Sequence, residues 1–118
     1  MENKDIFALA TELGNALKAD ERLIRLENAK KAYQEDGELQ KMMVEYEVQQ
    51  RALQGEITKP ERDTVFIDII QKRIDELYNA IMGHPVFAEL NEAQSDVNDL
   101  MNSVNNTISF MITGEQPS

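Results

Sequence analysis

Apolar residues recur along this chain at the three-and-four spacing of amphipathic helices, and the longest such stripe lies at its C-terminal end. After Pro85 they fall at Val86, Phe87, Leu90, Ala93, Val97, Leu100, Met101, Val104, Ile108 and Met111. Leu90, Val97, Val104 and Met111 are seven apart, a heptad-like seam sustained over almost four heptads. A helix this long runs roughly 40 Å at 1.5 Å per residue, and its seam needs cover from other helices or another subunit. Upstream, Ile6, Leu9, Ala10, Leu13, Ala16 and Leu17 mark a first helix with Gly14 inside it. Gly14 costs about 1 kcal/mol of helix propensity relative to Ala, which close helix packing there explains.

Punctuation divides the remainder. Asp20 reads as the N-cap of a second helix edged by Leu23, Leu26, Ala29 or Lys30, and Tyr33. Gly37 suits a left-handed C-terminal position, or Asp36 caps the next helix; both readings fit the residues. Leu39, Met42, Met43, Tyr46, Ala52 and Leu53 edge a third helix, interrupted by Gln49 and Gln50 and therefore half buried. Thr58-Lys59-Pro60-Glu61 combines a cap, a pre-proline residue and a proline at a helix start. The fourth helix, from Val65 to Met82, is the most apolar and is expected at the centre. Its β-branched residues suit a strand, but the spacing of Ile70, Ile74, Leu77 and Ile81 decides for helix. Gly83 stops that helix and Pro85 begins the fifth.

The pattern predicts an all-α fold of five helices near residues 4–19, 21–36, 38–56, 60–82 and 85–112, in a single domain with a polar tail at 113–118. Leu23, Leu26, Ala29 and Tyr33 match Phe87, Leu90, Ala93 and Val97 at a constant offset of 64, a weak internal repeat. Either an old duplication or helical amphipathicity alone accounts for it.

Composition narrows the chemistry. With 118 residues the chain supports one ordinary domain, and with no Cys it has no disulfide, thiolate nucleophile or Cys-ligated metal. The acidic start without a following apolar core, and the lack of any run of about 18 apolar residues, predict a cytoplasmic protein without a membrane span. The net charge of −10 argues against direct nucleic-acid binding through a general basic surface. No Lys or Arg occurs after Arg73, and most basic residues lie earlier. That asymmetry reads as a solvated acidic face, or as an acidic last helix lying beside basic helices of its own or another subunit.

Candidate sites are few. His84 is the single histidine and, between Gly83 and Pro85, reads as a helix-junction residue. Glu89, Glu92, Asp96 and Asp99 share a helix face, but no second carboxylate helix with histidine completes a di-metal centre. Asn105-Asn106-Thr107 is a formal glycosylation acceptor that a cytoplasmic helix does not present to that machinery. The six Met residues read as core filler or as an adaptable partner surface. No phosphate-binding glycine loop or nucleophile–base pair is present, so neither an enzyme nor a metal or iron–sulfur cofactor is expected. The sites expected instead are interface positions on the long helix: Leu90, Val97, Leu100, Met101, Val104 and Ile108.

Three stretches, Leu17–Ala32 (LKADERLIRLENAKKA), Asp36–Leu53 (DGELQKMMVEYEVQQRAL) and His84–Val104 (HPVFAELNEAQSDVNDLMNSV), resemble the YlbF/YmcA family of small helical bacterial proteins, most closely its YheA-like branch. The resemblance implies an all-helical, oligomeric, cytoplasmic, non-enzymatic protein. Relatives act in complexes that influence RNA processing, competence, sporulation and biofilm formation. Some carry cysteines and bind iron–sulfur clusters, a property this cysteine-free chain does not share. Three functional readings follow: a regulatory adaptor working through protein contacts, a structural homo-oligomer without a dedicated partner, and an acidic decoy of a nucleic-acid-binding site.

Overall fold

A computed structural model describes residues 5–114. Among them are five helices and no strand: α1 (Ile6–Lys18), α2 (Glu21–Glu35), α3 (Gly37–Ile57), α4 (Thr64–Met82) and α5 (Pro85–Thr113). The expected start of the first helix at residue 4, and the tail beyond Gly114, lie outside the described residues. Thr113, expected in the tail, is the last residue of α5.

At α2, α3 and α4 a side chain answers the orphan N–H groups of the first turn, whereas Asp5 before α1 makes no such bond. Asp20 accepts from the Arg22 backbone N–H at 2.9 Å. Asp36 accepts from that of Leu39 at 2.9 Å, and Asp63 from that of Phe66 at 3.0 Å. Of the two readings at residues 36–37, Asp36 capping α3 is the one adopted, and Gly37 sits in the helix without a positive φ.

The start of α4 departs from the sequence expectation by four residues. Thr58, Lys59 and Arg62 are engaged in ending α3 instead. The Thr58 hydroxyl donates to the carbonyls of Gln54 and Gly55, and Arg62 Nε donates to that of Ile57. Asp63, one of the strongest capping residue types, then opens α4.

The chain forms two compact units. One comprises the described residues up to Lys30 together with those from Leu90 on; the other is Lys31–Glu89. In the first, Leu26, Ala29, Ala93 and Val97 are buried together, with Leu23 and Leu90 packed against them. These are members of the two sets matched at the 64-residue offset. Two alanines lie in this cluster, and the charged contacts show that α2 and α5 run antiparallel. Arg22 shares a surface hollow with Asp96, Asp99 and Ser103, whereas Arg25 reaches Glu92 and Asp96.

In the second unit α3 packs on α4. Its buried side chains are Leu39 of α3 and Ile70, Ile74, Leu77 and Ile81 of α4. Val65, Phe66 and Ile69 of the same helix are exposed. Arg73 of α4 clasps Glu45 of α3 through two hydrogen bonds of 2.7 and 2.8 Å, a fork-to-fork geometry that fixes the two helices in register. Tyr33 and Phe87 stack at a tilt, their centroids 6.3 Å apart.

Candidate functional surface

The six expected interface residues do not share one environment. Val97 is buried against α2 and Leu90 packs on the same cluster, so both are engaged within the chain. Leu100 and Val104 are half-buried, while Met101 and Ile108 are exposed. The seam is therefore covered around Ala93 and Val97 and runs bare toward Met111 and Ile112. Met101 and Met111, read as core filler or partner surface, are exposed.

Sequence reasoning missed a second bare surface. α1 has no buried residue: Ile6, Phe7, Leu9 and Leu13 are all exposed. Nothing lies within 4 Å of where a side chain at Gly14 would sit, so close packing does not account for that glycine. Gly14 instead lines an open groove of about 700 Å³ with Leu17, Lys18, Leu23, Ile24, Glu27, Asn28 and Met101. Amphipathicity marked α1 as needing cover, but it could not say that the cover is absent from the chain's own described residues.

Several charged groups of the first unit are paired. Arg25 donates to Asp96 at 2.7 Å and lies 3.5 Å from Glu92. Basic α2 beside acidic α5, the sharper of the two charge readings, is thus realised within one chain. Arg22 pairs with Asp20 at 2.9 Å. Its guanidinium hydrogen bond, aided by the Arg22 backbone N–H, lowers the Asp20 carboxyl from 3.8 to about 2. In the second unit the Arg73 clasp likewise holds Glu45 below its ordinary range.

His84 is a junction residue. Its Nδ1 accepts the Val86 backbone N–H at 3.2 Å, capping α5, and its Nε2 lies 3.7 Å from the carboxylate that caps α3, Asp36. One imidazole thus meets the starts of two helices. Along the acidic stripe, as elsewhere among the described residues, no three His, Asp or Glu side chains gather into one group. Thr107, of the formal glycosylation acceptor, donates its hydroxyl to the Ser103 carbonyl on α5. No helix among the described residues is long and apolar enough to cross a membrane.

Residues 6–113, all five helices, match the model of the family described as control of competence regulator ComK, YlbF/YmcA. The chain belongs to this family. The match begins and ends with the helical core, so the bare stripes of α1 and α5 fall inside the YlbF/YmcA domain. No curated protein and no solved structure gives a significant match. The family description connects the fold with control of the competence regulator ComK.

Proposed function

We propose that this chain is a non-enzymatic cytoplasmic adaptor of the YheA-like branch, regulating through protein–protein contacts and associating with itself. The observation that carries the reading is the amount of apolar helix surface left uncovered inside the matched domain, on α1 and on the distal half of α5. Contiguous apolar surface of this kind mediates association, since a soluble monomer rarely leaves so much of it bare. The interface positions are the expected ones on α5, with Met101 and Ile108 exposed, Leu100 and Val104 half-buried between them, and Leu90 and Val97 supporting them from within.

Capture from native lysate under a salt titration tests the reading. An adaptor retains a stoichiometric protein partner as salt rises, because its contacts are apolar. A partner released at modest salt points to the acidic surface and favours the decoy. Recovery of the bait alone refutes the adaptor and leaves a structural oligomer.

A further inference from the structure

Two bare stripes run out from one groove. Leu17 and Gly14 of α1 line it together with Met101 of α5, and the apolar residues farthest from it on each helix are the most exposed. Along α1 the exposure rises from 38% at Leu13 through 45% at Leu9 to 77% at Ile6. Along α5 it rises from 36% at Met101 through 46% at Ile108 to 78% at Ile112. Neither stripe covers the other in the same chain. A 13-residue helix such as α1 is marginal in water unless its apolar face is packed.

We propose that α1 is a docking arm for a second copy of this chain: it lies along the distal stripe of the copy's α5, while the copy's α1 covers this chain's α5 in return. The proposal rests on the self-association put forward above and adds which elements meet. Length supports it. Ile6 to Leu17 and Met101 to Ile112 each span eleven residue steps, about 16 Å of helix.

Charge supports it as well. Although the chain carries a net −10, no charged residue occurs from Leu100 to Gly114, and Glu12 is the single one from Ile6 to Leu17. The two surfaces can therefore meet without the repulsion that two copies of the acidic segment Glu89–Asp99 would meet. Exposure agrees too: Ile6 and Phe7 on α1, and Met111 and Ile112 on α5, are each at least 75% exposed. Reciprocal exchange is a closed two-fold arrangement, so it yields a dimer and not a filament. A lipid surface is the poorer occupant, because membrane-surface helices are rich in Lys and Arg on their polar face and α1 has only Lys18.

The absence of cysteine makes the test direct, because an introduced thiol is the sole one in its chain. Leu9→Cys and Ile108→Cys chains are mixed, allowed to re-equilibrate and mildly oxidised. Asn15→Cys and Asn106→Cys, on the opposite faces of the same helices, form the control pair. Arm exchange gives a cross-chain disulfide several-fold more abundant in the first mixture than in the second. Wild-type protein should sediment as a dimer at micromolar concentration, and Ile6→Glu/Leu9→Glu as a monomer with unchanged helix content. A monomeric wild type overturns the proposal. So do equal disulfide yields, a double variant that remains dimeric, or wild-type protein floating with phospholipid vesicles that the double variant does not bind. Lysate capture is scored separately, so a dimer with exchanged arms and no captured partner would sink only the adaptor reading.

Discussion

Helices α4 and α1 carry apolar stripes of similar strength, yet they end in opposite conditions. α4 buries Ile70, Ile74, Leu77 and Ile81 in a unit where α3 packs on it and Arg73 grips Glu45. α1 buries nothing. The difference teaches that amphipathicity states a demand for cover without naming its source. A six-residue connection between α3 and α4 favours packing of sequence neighbours. The two residues between α1 and α2 produce no such burial, and the demand of α1 is unmet among the described residues.

The largest expected effect sets the two helices directly against each other. Leu77→Asp places an unpaired carboxylate in the second unit's interior and costs on the order of 3–5 kcal/mol. Leu9→Asp on exposed α1 changes the stability of the dilute chain by no more than about 0.5 kcal/mol and acts on assembly instead. Urea unfolding followed by circular dichroism at low concentration separates them. Similar losses from both would mean that α1 is packed within the monomer after all.

Next comes the buried cluster shared by α2 and α5. Ala93 is fully buried beside Leu26, Ala29 and Val97, so Ala93→Leu overpacks the contact and costs about 1–3 kcal/mol. A neutral result in the same unfolding assay would show that the first unit's core is looser than its burial indicates. Asp36→Ala, removing the cap of α3, should cost about 1 kcal/mol and increase hydrogen exchange of the Leu39 amide. Unchanged exchange would remove the cap from the account.

The smallest effect is electrostatic. Asp20 has a folded pKa below its ordinary value, so its contribution to stability is complete above about 4 and fades as pH falls toward 2. Arg22→Gln should move the Asp20 midpoint, followed by NMR, upward from about 2. It should remain below 3.8, because the backbone N–H of residue 22 still donates. An unmoved midpoint would mean the guanidinium is not the cause.

Much of the fold was legible in the residues alone. Spacing placed five helices, and capping chemistry at Asp20 and Pro85 placed two of their starts, because these signals are local and belong to single turns. Residues 58–63 misled, since Thr58 and Pro60 resemble a helix start while their neighbours are engaged in closing the preceding helix. The choice between Asp36 and Gly37 likewise waited on three-dimensional geometry. Membership of the family was readable from three helical stretches, with no catalytic signature to sharpen it.

What the sequence determined by itself is the set of helices, the face each wants covered and the lack of thiol chemistry, since these follow from residue type and a period of 3.6. Tertiary structure alone decided that Leu90 and Val97 are engaged inside the chain while Met101 and Ile108 are not, that Arg25 neutralises part of the acidic stripe, and that α1 stands bare. Those outcomes depend on which distant segments meet, here Leu26 with Ala93 at a separation of 67 residues. Periodicity is blind to such meetings, because a covered stripe and an uncovered one are written with the same residues.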